Sequence, residues 1–303
     1  MRIRSIFSLR KWVGLLVRSK WAYKISDKLF VSLEYYYMHG KRLNLETSRT
    51  YNEKLQWLKL YDHNPEYTAL VDKLAVKSIV GNIIGEQYII PTYGVWDKPE
   101  EIDFDSLPEQ FVLKVTHDSG GVVICKNKSE FDRDEAIEKL HKSLNRDYYR
   151  VHREWPYRDV QRRIIAEAYM EDCIAGELCD YKFFTFQGKV KLLFVATERQ
   201  NTNTETKFDF FDIDYNHIDM RNGHPNAKIP PAKPTNFELM VELAEKLSQG
   251  IPHVRVDFYE VNGRVYFGEM TFSHWSGLVA FDPPEWDYEL GSWIDLSQIR
   301  RER

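Results

Sequence analysis

Val254-Arg-Val-Asp-Phe-Tyr-Glu-Val-Asn-Gly-Arg-Val-Tyr-Phe-Gly-Glu-Met-Thr271 decides how this chain is read. Val254, Val256, Phe258 and Phe267 alternate with polar residues around Asn262-Gly263, the pattern of a β-hairpin whose one face lies in a core. Arg255, Asp257 and Glu269 occupy the other positions, and whether they converge depends on the loop, because a slip of one residue turns a strand's whole set to the opposite face. A two-residue Asn-Gly turn would pair Asp257 with Gly268 and leave Glu269 facing away. A three-residue loop, Val261-Asn262-Gly263, would pair Arg255 with Glu269 and set Asp257 diagonally beside it; this is the loop expected. Two carboxylates on one face repel each other unless a hard divalent cation joins them to nucleotide phosphates. The alternative use is a surface Arg255–Glu269 salt bridge with Asp257 in solvent.

Upstream, Phe111-Val-Leu-Lys-Val-Thr-His-Asp-Ser-Gly-Gly121 reads as a strand with Lys114 on its polar side, opening into a glycine loop before the chain re-enters a strand at Val122. Gly120 and Gly121 admit backbone N–H groups to phosphate oxygens, Ser119 can donate a hydrogen bond, and Lys114 supplies a point charge. A plain hairpin turn would look the same, and no Walker A loop is present. Ile164-Ile-Ala-Glu-Ala-Tyr-Met-Glu171 runs an apolar strand into an acidic segment, against which an adenine could lie while backbone groups at Ala168 to Met170 read its edge.

Between these stretches, strand-like runs fall at Tyr88–Ile90, Phe111–Thr116, Gly121–Cys125, Arg163–Ala168, Tyr181–Phe186 and Val190–Ala196. Helical periodicity marks Leu55 to Tyr61, Leu70 to Ile79 ending near Gly81, and residues of about 131–144 and 237–248. Gln187-Gly188 and Asn262-Gly263 read as hairpin turns. Hairpins mixed with helices argue for an α+β fold in several subdomains.

The 303 residues, 43% hydrophobic and 14% aromatic, suffice for one large core or two to three smaller ones. Cys125, Cys173 and Cys179 form neither a disulfide framework nor a metal pair, which favours a reducing, cytoplasmic setting. The net charge of −4 conceals a basic start: residues 1–28 hold eight Lys/Arg against Asp27 alone. The longest apolar run there, Trp12 to Val17, is too short to span a bilayer or to serve as a secretory signal. Leu9, Trp12, Val13 and Leu16 share one helical face, so this segment either lies on an anionic membrane surface or docks on the acidic body of its own chain. An acidic body argues against nucleic acid as a partner.

Lysine strand, glycine loop, acidic hinge strand and a final Asp/Glu hairpin, in that order, resemble the ATP-grasp superfamily. Asp72-Lys-Leu-Ala75, the Phe111–Gly121 stretch, Arg153-Glu-Trp-Pro156, Asp180-Tyr-Lys-Phe-Phe184, Arg255-Val-Asp-Phe and Tyr266-Phe-Gly-Glu-Met-Thr-Phe272 look like signatures of its TupA-like branch, spread over roughly residues 50 to 292. The resemblance implies two α+β subdomains clasping ATP: a basic amphipathic segment (1–49), a pre-ATP-grasp region (50–105), a lid subdomain (106–165) and a C-terminal subdomain with the metal site (166–303). It implies that Lys114 contacts the phosphates and that His117, Ser119, Gly120 and Gly121 belong to the lid. Glu167, Ala168, Tyr169 and Met170 would form the adenine hinge, with Glu171 or Glu177 on the ribose. Asp257, Glu269 and Thr271 would bind Mg²⁺, and Arg255 would steady a phosphorylated intermediate. Three departures stand out. Thr271 replaces the usual metal-binding Asn, Ala168 replaces the hinge lysine, and Ser273-His274 replaces Thr-Pro near the acceptor pocket.

The expected reaction is ATP-dependent carboxylate–amine ligation through an acyl phosphate, with Lys114, Arg255, Lys182 and Arg199 sharing the phosphoryl charge. His117 would be a phosphate contact, a bystander or a proton carrier. The resemblance implies a glycan or small-molecule carboxylate and an amine donor, in bacterial cell-surface polysaccharide or glycopeptide biosynthesis. The rivals are a glycosyltransferase using Asp103-Phe-Asp105 or Asp212-Ile-Asp214, a kinase on the same ATP site, and a nucleotide-sensing scaffold.

Overall fold

A computed structural model describes residues 9–172, 178–199, 204–297 and 299. Its strands form two antiparallel sheets. The first runs in the order β1 (Thr92–Trp96), β4 (Ile164–Ala168), β2 (Phe111–Val115), β3 (Val122–Cys125). The second runs β10 (Arg264–Thr271), β9 (His253–Val261), β5 (Asp180–Phe186), β6 (Lys189–Thr197), β7 (Lys207–Asp212), β8 (His217–Ile218). The helices are α1 (Leu9–Val17), α2 (Asp27–His39), α3 (Tyr51–Tyr61), α4 (Glu66–Val71), α5 (Ala75–Ile84), α6 (Arg133–Leu144), α7 (Tyr148–His152), α8 (Phe237–Leu247) and α9 (Glu285–Ser292). The α+β expectation holds.

Strand alternation explains how each sheet serves both core and site. In β5, Tyr181 and Phe183 face a core completed by Met240 and Leu243 of α8, with Val254, Val256 and Phe258 of β9 on the same side. Phe184 and Phe186 face the other way, onto Tyr51 and Leu55 of α3 and Leu290 of α9. Asp180 and Lys182 share that second face but lie beyond the reach of α3, so one sheet face is apolar at one end and charged at the other. In the first sheet, Phe111, Leu113 and Val115 pack under Ala136 and Leu140 of α6. Lys114 and Glu167 point from its opposite face.

The close approach of α9 to α3 depends on Gly291, where a Cβ would sit 2.2 Å from the Arg49 carbonyl oxygen. Gly291→Ala gains about 1 kcal/mol of helix propensity, yet it must push rigid backbone aside. A net loss of about 1–3 kcal/mol is expected, read as a lower thermal midpoint.

The hairpin that opened the sequence reading differs from expectation. Val261 pairs with Arg264, so the loop is the two-residue Asn262-Gly263 turn, with φ of 50° and 74°. Asn and Gly both tolerate positive φ, and such a turn matches the strand twist better than a three-residue loop. Glu269 still stands opposite Asp257, because the register jumps between Phe267, paired with Phe258, and Glu269. Gly268 is the extra residue of a β-bulge, held so near β9 that a Cβ would lie 3.1 Å from the Asp257 carbonyl oxygen.

Two other expectations are corrected. The strand read at Tyr88–Ile90 gives way to a 3-10 turn at Glu86–Tyr88, and β1 begins only after Pro91. The helix read through Leu70 and Ile79 is two, α4 and α5. Asp72 breaks it: its Oδ1 accepts from the Leu74 and Ala75 amides, at 2.8 and 3.3 Å, and so caps α5.

Candidate active site

A cleft runs between the polar face of the first sheet and the charged end of the second. It comprises three adjoining cavities of about 270, 330 and 480 Å³. The smallest is apolar, walled by Ile90, Val112, Val122, Ile124, Met170 and Leu178. Lys114 and Arg199 belong to its wall and to that of the middle cavity, which Ser119 and Gly120 of the β2–β3 loop also line. Lys73, Lys182, Arg199 and Glu269 line both the middle and the largest cavity.

The middle of the cleft is a network of charges. Glu167 of β4 takes Lys77 at 2.5 Å on one oxygen and Lys114 at 2.6 Å on the other. Burial would raise the Glu167 carboxyl, but these two lysines outweigh it and hold the pKa below the usual range. Lys73 Nζ donates to the Asp118 carbonyl at 2.6 Å, and burial lowers its pKa, as it does that of Lys77. Asp180 meets both Lys182 and Arg199 at 2.6 Å, and Lys182 also reaches Asp257. Six cations, Lys73, Lys77, Lys114, Lys182, Arg199 and Arg255, thus face five carboxylates, Asp118, Glu167, Asp180, Asp257 and Glu269. At full ionisation one positive charge is left over, which suits an anionic ligand such as a polyphosphate.

Arg255 is the best-anchored of these cations. It grips Asp257 bidentately, Nε to Oδ1 and Nη2 to Oδ2, both at 2.7 Å, and Nη2 also reaches Glu269 at 3.2 Å and Thr271 Oγ1 at 3.0 Å. Its Nη1 lies 2.8 Å from His274 Nδ1. A guanidinium only donates, so Nδ1 accepts, and His274 Nε2 carries the proton to Asn222 Oδ1 at 2.9 Å. Burial and the neighbouring Arg255 and Lys182 keep His274 neutral, with a pKa far below the ordinary value.

The donor chemistry suits a divalent cation. Burial pushes the Asp257 carboxyl up against the pull of Arg255 and Lys182. Burial opposes ionisation of Glu269 as well, but Lys182, Arg255, Lys73 and Lys114 bring it down to about 2. The Glu269 side chain remains 46% exposed, open to the cleft, and Asp180 Oδ1 is buried without a hydrogen-bond partner among the described residues. No group of three or more His, Cys, Asp or Glu side chains poised for a metal occurs among those residues. Asp257 and Glu269, opposite each other in the hairpin, are the pair that would hold Mg²⁺ in the two-carboxylate manner, with phosphates and water supplying the other oxygens. Thr271, expected as a third ligand, instead accepts from Arg255 and donates to Glu269 at 3.4 Å.

The largest cavity has Phe194, Phe208 and Trp275 on one side and Arg146, His152 and Glu154 among its polar groups. Trp275 is 40% exposed there, whereas Trp286 and Trp293 pack on the α3–α9 core. Of the three, Trp275 belongs to the cavity wall. Gly223 makes room for it, since a Cβ there would meet the indole at 2.8 Å.

The structure brings Lys114, Ser119, Gly120, Lys182, Arg199, Arg255, Asp257, Glu269 and Thr271 together around the cleft, and places Ala168, Tyr169 and Met170 at its apolar end. Others fall elsewhere. His117 is buried and donates from Nε2 to the Arg146 carbonyl at 2.9 Å, away from the cleft. Gly121 serves packing, as a Cβ would collide with Ser143 Oγ at 2.0 Å. Glu167 does line the middle cavity, paired there with Lys77 and Lys114, and Ala168 lines the apolar one, but its amide is given to the Pro91 carbonyl at 3.0 Å, so that amide does not read an adenine edge. Glu171 is exposed, and Glu177 lies outside the described residues. Lys73, Lys77 and Asp180 escaped the sequence reading as site residues. A pair of lysines four apart, Lys73 and Lys77, at the start of an otherwise apolar helix was the available signal.

The carboxylate pairs considered for a glycosyltransferase serve turns instead. Asp103 Oδ1 accepts from the Asp105 and Ser106 amides, and Asp212 Oδ1 from those of Asp214 and Asn216.

Comparison with known proteins gives a match of residues 53–295 to a family described as TupA-like ATPgrasp. Among solved structures, D-alanine–D-alanine ligase from Helicobacter pylori aligns at 14% identity over 75% of this chain and 61% of that one, with a TM-score of 0.41. The ligase of the same name from Bacillus anthracis, complexed with ATP, aligns at 16% over 74% and 65%, TM-score 0.40. The ATP-grasp ligase PsnB, complexed with a phosphomimetic variant of its minimal precursor, Mg and ADP, aligns at 10% over 74% and 58%, TM-score 0.42. The chain thus spans less than two thirds of the length of each. No curated protein sequence matches it.

Proposed function

The chain belongs to the TupA-like ATP-grasp family, and from that premise we propose that it is an ATP-dependent carboxylate–amine ligase of cell-surface polysaccharide or glycopeptide assembly. The γ-phosphoryl group of ATP passes to an oxygen of the substrate carboxylate, giving ADP and an acyl phosphate. An amine then attacks the acyl carbon, the amide bond forms, and phosphate leaves. The observation that carries this reading is that Lys182, Arg199 and Glu269 line both the middle and the largest cavity, so a phosphate donor in one and an acceptor in the other would meet at the same side chains.

Adenine lies against Ile90, Val112, Ile124 and Met170, and Lys73, Lys114, Ser119 and Gly120 take the phosphates. Asp257 and Glu269 would hold Mg²⁺, which would supply charge neutralisation on the phosphoryl oxygens. Arg255 is already oriented by Asp257 and His274, so it stabilises developing charge without reorganising. In the largest cavity, the exposed Trp275 ring offers a stacking face to a sugar-bearing acceptor, and Arg146 a partner for its carboxylate.

Thermal unfolding with ATP and Mg²⁺, together and singly, tests the nucleotide site: about 2.7 kcal/mol of stabilisation is expected at 100 times Kd, only with both present. ADP release that needs an acid and an amine together supports the ligase. Release with a hydroxyl compound alone would assign a kinase, and no shift with any nucleotide would remove the basis for either.

A further inference from the structure

Helix α1 is apolar on two sides. One side docks on α2: Val13 is buried, and Gly14 meets the Tyr37 ring so closely that a Cβ would fall 2.3 Å from it. Arg10 fixes the contact by donating from Nε and Nη2 to the Tyr37 and Met38 carbonyls, at 2.6 and 2.7 Å, at the end of α2. At about 100° per residue, Leu15, Trp12, Leu16 and Leu9 fall in a second arc, about 120° wide, turned away from α2. All four are exposed, Leu9 at 68%, Leu15 at 59% and Trp12 at 57%, and the following turn adds Trp21 at 66%. Tyr23 and Leu29 are exposed as well.

Positive charge surrounds this arc. Lys11, Arg18, Lys20, Lys24 and Lys28 are exposed, with Lys24 over the Trp21 ring and Arg18 over Tyr37. The one acid of the segment, Asp27, is neutralised from behind by Arg153 at 2.8 Å and by the Tyr149 hydroxyl. Lysine is depleted where proteins bury surface against one another. Lysine and arginine beside exposed Trp, Tyr and Leu are what the headgroup region of an anionic bilayer accommodates, with rings at the interface and ammonium groups among phosphates.

We propose that α1 and the turn after it form a docking surface for a membrane carrying anionic headgroups. The helix lies along the bilayer with Leu9, Trp12, Leu15 and Leu16 in the interfacial layer. The attachment is rigid relative to the cleft, because α2, which holds α1, also meets its wall: Glu34 pairs with His152 at 2.8 Å, and His39 bonds the Gly277 carbonyl at 3.2 Å. The membrane surface therefore lies on the side of the largest cavity.

The full chain is mixed with vesicles of phosphatidylcholine alone, or with about a third phosphatidylglycerol, and sedimented. Wild type is expected to pellet with the anionic vesicles, to do so less in high salt, and to stay largely in solution with neutral ones. Trp12→Glu combined with Leu16→Glu lowers partitioning at least about tenfold. Lys20→Gln, Lys24→Gln and Lys28→Gln together lower it on the order of a hundredfold. All these residues are exposed, so each variant keeps its thermal midpoint and its response to ATP and Mg²⁺. Wild type that stays in the supernatant with anionic vesicles overturns the proposal, as does a lysine variant that binds like wild type. A dimer that forms without vesicles and is lost with Trp12→Glu would assign the arc to a second copy and overturn it too.

Discussion

Glu269→Gln and Asp257→Asn are each expected to lower ADP release by at least about a hundredfold, with different consequences for the fold. The Glu269 side chain is 46% exposed, and its ion pair with Arg255 is 3.2 Å long. Its amide replacement leaves the surrounding packing intact, so stability should stay within about 1 kcal/mol while the stabilisation given by ATP with Mg²⁺ disappears. Asp257 is buried and takes a bidentate grip from Arg255 as well as Lys182. Replacing it leaves two buried cations short of a countercharge, a loss of about 3–5 kcal/mol when one member of a buried pair is removed. Nucleotide-dependent thermal shifts and ADP release on the two variants separate these effects. A Glu269→Gln protein that turns over ATP at the wild-type rate would remove that carboxylate from the metal site and leave the hairpin a purely structural device.

That both carboxylates were legible, though the loop between them was not, follows from what each feature depends on. The Asp257 and Glu269 positions lie in strands whose alternation is local, so composition alone places them. Their convergence needs an odd residue somewhere in the hairpin. The expected place is the loop, but Asn262-Gly263 closes the tighter turn and Gly268 supplies the extra residue; a lone glycine inside a strand is the sequence sign of such a bulge. β1 departs from expectation for a similar reason. Gly94 and Pro91 argue against a strand, yet β1 is an edge strand with a register irregularity between Thr92 and Gly94, where such residues are tolerated. The Asp72 cap overrode a periodicity that ran on through Leu74. Lys73, Lys77, Asp180 and His274 were out of reach as a group, because only the packing of α5, β5 and the segment after β10 against one another brings their charges into one cleft. His274, where the resemblance leads one to expect proline, is the group that holds Arg255 Nη1.

His253 should make the protein acid-sensitive in a way that a His253→Gln variant does not share. The imidazole is fully enclosed between Phe184 and Phe186; its Nδ1 donates to the Thr185 carbonyl and its Nε2 accepts from the Tyr51 hydroxyl, both at 2.8 Å. Burial, aided by the nearby Arg255, lowers its pKa to about 3. In the unfolded chain the same ring titrates near 6.5. Below that pH the unfolded state binds a proton that the native state refuses, so stability falls as pH drops from about 6.5 towards 3, by up to about 1.4 kcal/mol per pH unit. Between pH 7 and 5 this amounts to about 2 kcal/mol. His274 acts in the same direction, while Asp62, raised to about 6 by burial, acts in the opposite one. Both are present in wild type and variant alike and cancel in the difference between them. His253→Gln loses the Tyr51–His253 geometry and is expected to be less stable at neutral pH, but urea unfolding at pH 7 and pH 5 should show it losing about 2 kcal/mol less than wild type. Parallel losses in the two proteins would mean that His253 carries a proton in the native state, and that Tyr51, which joins α3 to the sheet beneath the charged cleft, is held by a cation instead of a neutral acceptor.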